Sequence, residues 1–119
     1  MADVAAENRL LLAPCVEFTM GFPPRALSPN ARVDWHVKMN EAKLYKHACR
    51  VLALQARREY ESKGFTFPLT APVLAVVTFV LPSRRHYDYD NLLASFKAGL
   101  DGIVKAGLLE DDDCWRLQL

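Results

Sequence analysis

Two aspartates stand two residues apart in the stretch SRRHYDYDNLLASFK, Ser83 to Lys97, directly ahead of an apolar helical pattern. Side chains alternate along extended backbone, so Asp88 and Asp90 are expected to point the same way. Two carboxylates on one side make a site for a hard divalent cation, and Mg²⁺ takes such oxygen ligands together with water. The same position suits a helix cap, since Asp90 or Asn91 can accept backbone N–H bonds there. Capping explains one of these residues and leaves Asp88 unexplained. At 100° per residue from Asp90, Lys97 falls at about −20° and Asp101 at about 20°. Leu92, Leu93, Phe96, Leu100, Ile103 and Val104 fall between about 200° and 320°, so the core stripe and the charged line oppose each other. Lys97 and Asp101 form an i,i+4 pair, by itself a minor surface salt bridge. Aligned with the acids, a lysine there can also neutralise charge developing on a phosphate. A third carboxylate source is the run EDDD, Glu110 to Asp113. Alone it reads as a solvated acidic turn; it reaches the Asp88/Asp90 end only if the following segment pairs beside a central strand.

The elements that must place these residues follow from hydrophobic periodicity. CVEFTM alternates Val16, Phe18 and Met20 on one side, a strand pattern. GFPPRALSPNAR is punctuated by three prolines and a glycine and reads as a loop. From about Asp34 to Lys63 the pattern is helical, with Tyr45, Ala48, Cys49, Leu52 and Ala56 on one face. Lys43, Lys46, Arg50 and Arg57 fall on the other side, as a solvated outer face or as a phosphate-facing basic stripe. KGF ends that helix. APVLAVVTFVLP is apolar on both faces and reads as a central strand buried on two sides. A second helix then runs to about Ala106, where Gly107 is placed to stop it. The order β-loop-α-β-loop-α-β predicts an α+β (mixed α/β) domain, a small mixed β-sheet packed with two helices. Residues 14–119 are expected to form that single domain, behind a flexible extension over residues 1–13.

The 119 residues are 51% hydrophobic and 24% charged, the balance of a globular chain rather than a disordered one. Net charge is only +1, but it is segregated. Residues 31–64 carry eight Lys/Arg against four Asp/Glu, whereas residues 86–119 carry three against seven. One region can attract phosphate while the other concentrates carboxylate, a combination suited to a metal-dependent enzyme acting on nucleic acid. Cys15, Cys49 and Cys114 lack any CxxC spacing, which argues for a reducing compartment and against zinc or a disulfide framework. No signal-peptide pattern and no long apolar run are present, so a cytoplasmic protein without membrane association is expected. His36, His47 and His86 have no ligand spacing; the first two read as surface residues of the first helix, and His86, beside the acids, as a candidate substrate contact. No glycine-rich phosphate loop and no nucleophile motif occur. The D-x-D phosphatase motif needs its aspartates at the end of an apolar strand, and here SRRHY intervenes.

At DYDN…K…D…AGLLEDD the sequence resembles the RusA family of Holliday junction resolvases. The resemblance runs from the first strand and the PP…SPNAR loop to the acidic turn, roughly residues 14–114, and rests on the D-x-D-N element, the downstream lysine and the A-G-x-x-x-D-D turn. It implies a homodimeric, Mg²⁺-dependent endodeoxyribonuclease (Mn²⁺ substituting) that nicks four-way DNA junctions symmetrically in recombination and repair, commonly encoded by a phage or prophage. It places the acidic cluster on Asp88, Asp90 and Asp112, and the catalytic lysine on Lys97. The DNA contacts it suggests are Arg84, Arg85 and Asn91; His86 joins them by its place beside the acids, and the basic residues Arg32, Lys43, Lys46 and Arg50 add backbone affinity. Lys97 stands three residues further past the D-x-D-N element than in the best-known form, and Tyr87 stands where an arginine is common. Two other readings stay open: a junction- or DNA-binding module without catalysis, and a metal-dependent nucleotide phosphohydrolase.

Overall fold

The computed structural model describes residues 15–69, 75–84, 86–110 and 117–118. An extended segment leads into a 3-10 turn, Arg25–Leu27, followed by helix α1 (Trp35–Glu61), strand β1 (Ala75–Val76), helix α2 (Tyr89–Lys105) and strand β2 (Leu117–Gln118). The expected extension over residues 1–13 lies outside the described residues.

Both helices begin and end where local chemistry directs. Asp34 precedes α1 with extended backbone (φ −58°, ψ 143°), and its carbonyl accepts the Lys38 amide at 3.0 Å. After Glu61 the amides of Lys63, Gly64 and Phe65 fold back on the carbonyls of Tyr60, Glu61 and Tyr60, each at 3.0 Å, around Gly64 at φ +97°. Helix α2 ends in a Schellman pairing: Gly107 donates to Val104 at 2.9 Å and Leu108 to Ile103 at 3.4 Å. Gly107 takes φ +83°, where a Cβ would be strained.

The core is a helix pair. Tyr45, Cys49, Ala53 and Ala56 of α1 are buried against Leu92, Ser95, Phe96, Gly99, Leu100 and Gly102 of α2. The small residues let the backbones close in. A Cβ on Gly99 would lie 2.9 Å from the Tyr45 ring, and one on Gly102 would run into the Lys46 carbonyl. Residue numbers rise together across the seam, from Gly99 beside Tyr45 to Arg57, whose Nη1 donates to the Ala106 carbonyl at 3.1 Å. The helices therefore run parallel, and both N-termini sit at one end. Leu27 joins Tyr45, Cys49, Phe96 and Leu100 in one cluster; Ala53, Ala106 and Leu108 form a second. Burying side chains of the size of Phe96 and Leu100 stabilises the pair by about 1.5–3 kcal/mol each.

Among the described residues the expected small mixed β-sheet is not formed, and the fold is helical rather than α+β. Strand pairing among the described residues is confined to Ala75–Val76, parallel to Leu117–Gln118, and one isolated parallel bridge between Leu69 and Leu109. CVEFTM turns Val16, Phe18 and Met20 inward as its alternation requires, yet it pairs with no strand among the described residues; those side chains pack on the helix clusters instead. The described part of the stretch read as a doubly buried central strand, from Ala75 on, is covered on one side only. Val77 and Phe79 pack inward, while Val76 is 66% and Val80 82% exposed. A period of two fixes which side chains turn inward, but a sheet also needs neighbouring strands, and here the helices supply the apolar cover. On α1 the buried face is rotated from its expected position: Ala53 is fully buried, Leu52 half-buried and Ala48 exposed. No helix among the described residues is long and apolar enough to cross a membrane.

Candidate functional site

Asp88 is the N-cap of α2, with extended backbone (φ −93°, ψ 129°). Its Oδ1 accepts the Asp90 amide at 2.9 Å, so one otherwise orphaned helix donor is satisfied by this acid. The expectation that Asp90 or Asn91 caps the helix, leaving Asp88 without a local role, is therefore corrected. Nor are the two acids aligned by strand alternation. Asp90 already lies in the first helical turn, and the cap bond ties the Asp88 side chain to its backbone. Both carboxylates are exposed at the positive end of the helix macrodipole, which stabilises negative charge there.

Lys97 projects from the outward face of α2, two turns beyond Asp90, with its Nζ 3.3 Å from Asp101 Oδ1. The side chains are 60% and 36% exposed. The expected opposition of charged line and core stripe is present: Leu92, Phe96 and Leu100 are buried, Leu93, Ile103 and Val104 half-buried, and Asp90 and Lys97 exposed. Asn91 is half-buried, and its carbonyl accepts the Ser95 hydroxyl at 2.7 Å. Ahead of the helix, Arg84 and His86 are exposed, and the Tyr87 hydroxyl lies 3.2 Å from Ser83 Oγ. Asp112 and Arg85 lie outside the described residues, and no group of three or more His, Cys, Asp or Glu side chains is gathered for a metal among the described ones.

The basic residues divide. Arg32, Lys43 and Arg50 are exposed, while Lys46 is half-buried beside the Gly102 contact. Arg57, read with this stripe, belongs to the scaffold. It binds the last turn of α2 through the Ala106 carbonyl, pairs with Glu61 at 3.5 Å and lies over the Phe67 ring at 5.8 Å. A cation at a helix C-terminus is favoured by the macrodipole. Its helical angle alone could not distinguish it from the exposed basic residues; the contact it makes crosses from one helix to the other. Tyr45, expected only as a residue of the apolar face, also ties down the preceding loop: its hydroxyl donates to the Gly21 carbonyl at 2.7 Å. Burial pushes the Tyr45 phenol upward, with neighbouring Cys49 adding to the shift, and burial likewise raises the Cys49 thiol.

Over 93 residues, 78% of its length, the chain is 37% identical to an uncharacterized protein of Xylella fastidiosa (strain Temecula1 / ATCC 700964). That match spans 58% of the Xylella protein, so the chain corresponds to little more than half of it. No family model matches the chain. No solved structure matches it.

Proposed function

We propose that this chain is a Mg²⁺-dependent endodeoxyribonuclease of the RusA kind, hydrolysing phosphodiester bonds of four-way DNA junctions in recombination and repair. The observation that carries this reading is the shared start of α2: Asp88 and Asp90 are exposed there, and Lys97 lies on the same outward face. The residues suit the ion. The cap bond uses one Asp88 oxygen, leaving the other and the Asp90 carboxylate as hard ligands. Mg²⁺ is commonly held by one or two carboxylates together with water and substrate phosphate. Asp112 is the third acid of this reading.

When bound, the ion would lower the pKa of a water and shield the charge of the scissile phosphate. Lys97, steadied by Asp101, would stabilise charge on that phosphate. Arg84, Arg85, His86 and Asn91 would engage the DNA near the cut, with Arg32, Lys43, Lys46 and Arg50 adding salt-sensitive backbone affinity. A symmetric junction calls for a two-fold pair of chains, one site per opposed strand. Such an enzyme works in the cytoplasm of a bacterial cell, encoded by the host or by a phage or prophage.

A second reading, a DNA-binding module without catalysis, is favoured by the cap bond itself, because that bond gives Asp88 a role needing no cation. One assay separates the two. Labelled four-way junction, matched duplex and a nucleoside triphosphate are each incubated with and without Mg²⁺ or Mn²⁺. Metal-dependent cutting of the junction alone is expected. Tight junction binding without cutting would favour the module, and turnover of the triphosphate would point to a phosphohydrolase.

A further inference from the structure

We infer that Phe22 is a positioning residue for the acidic end of α2, holding Asp88 in its capping pose through Tyr87. Phe22 belongs to the irregular GFPP stretch, far from the acids in sequence. Its ring meets Tyr87 edge-on, with centroids 6.1 Å apart and planes at 72°. It meets Phe79 in the same manner, at 6.2 Å and 75°. Phe79 in turn packs edge-on against Phe96 at 6.0 Å and 90°. Phe96 is buried on α2, two turns inside the cap. The four rings thus form a circuit that leaves the chain at the residue before Asp88 and returns to the helix that Asp88 caps.

Both sides of the wedge are anchored. The Tyr45 hydroxyl donates to the carbonyl of Gly21, next to Phe22, at 2.7 Å, and Tyr87 is tied to Ser83 at 3.2 Å. Edge-to-face ring pairs within this distance range stabilise beyond the area they bury. The Asp88 carboxylate is itself exposed, and its bond to the Asp90 amide forms only while residues 87 and 88 keep their backbone path. Phe22 is 37% exposed, so it serves as a strap laid over the loop rather than as a core side chain. Without it, Tyr87 loses this lateral support, the backbone before the helix gains freedom, and the Asp88 side chain leaves the Asp90 amide.

The test reads the cap directly, by native-state amide exchange of Asp90 in the full chain. In Phe22→Ala, and independently in Tyr87→Ala, the Asp90 amide is expected to exchange up to about tenfold faster, the factor one ring pair can carry. Phe22→Tyr, which keeps the ring, should restore wild-type protection. The amides of Cys49 and Leu100 should be unchanged in all three. Unaltered Asp90 protection in Phe22→Ala would overturn the inference, and so would an equal loss at Asp90, Cys49 and Leu100, which would make the ring a general packing residue. The consequence for cutting rests on the endonuclease reading: Phe22→Ala should need several-fold more Mg²⁺ for half-maximal junction cleavage, at unchanged junction affinity. If the wild-type protein cuts nothing, that reading fails while the exchange result stands by itself.

Discussion

Asp88 caps α2, and on the proposed reading it also holds the ion; the right substitutions divide these roles. As a cap it can be replaced by serine, which accepts the same backbone N–H, whereas alanine cannot and should cost about 1 kcal/mol of stability. As a ligand it can be replaced by neither. Asp88→Ser is therefore expected to unfold in urea within a few tenths of a kcal/mol of wild type while losing metal-dependent cutting, and Asp88→Ala to lose both. A cutting Asp88→Ser would remove the acid from the proposed chemistry. The buried Tyr45–Cys49 pair gives a second handle at this scale. Both groups are held protonated in the folded state, above their ordinary values of 10.0 and 9.0. In the unfolded chain they release protons first as pH rises, so their stabilising contribution is complete below 9.0 and declines as pH climbs toward the raised folded values. Urea midpoints should fall between about pH 9 and about pH 11, and a rise across that interval would contradict the burial assigned to the pair.

At the scale of elements, the helices were legible because their signals are local. Apolar periodicity and the glycines at 64 and 107 lie within a turn of what they determine. Strand pairing is not local. Val16, Phe18 and Met20 announce an inward face correctly but say nothing about a partner strand, so the same alternation serves an extended segment laid against helices. The seam between helices was equally hidden, since Gly99 and Gly102 resemble flexible points until a neighbouring backbone is known. Gly102→Ala gains about 1 kcal/mol of helix propensity yet drives a methyl group into the Lys46 carbonyl. Net destabilisation of roughly 1–3 kcal/mol is expected in chemical unfolding, and a more stable variant would contradict the close approach. The basic residues give an opposite pair of outcomes. Arg57→Ala should lower stability with junction affinity intact, because its guanidinium binds Ala106. Removing Lys43 and Arg50, both exposed, should leave stability nearly unchanged. It should also make the logarithmic salt slope of DNA binding shallower by about 0.9 for every phosphate these side chains neutralise.

At the scale of the whole molecule, the parallel helix pair puts the start of α2 and the start of α1 at one end, with the acids on the surface there. The candidate site was legible in the sequence as far as it lies on one helix. Asp90 and Lys97 share an outward face that follows from the period of α2 alone, and Asp88 stands next to them as the cap residue. The ring circuit inferred to support Asp88 was not legible, because Phe22, Phe79 and Tyr87 come from three separate segments whose meeting depends on tertiary structure. If this acidic end hydrolyses DNA with a divalent ion, as proposed, removing one negative charge must separate cutting from binding. With a labelled four-way junction in Mg²⁺, the wild-type protein should nick opposed strands, while Asp90→Asn should bind the junction as well or better and leave it whole. Cutting by Asp90→Asn at the wild-type rate would contradict the claim.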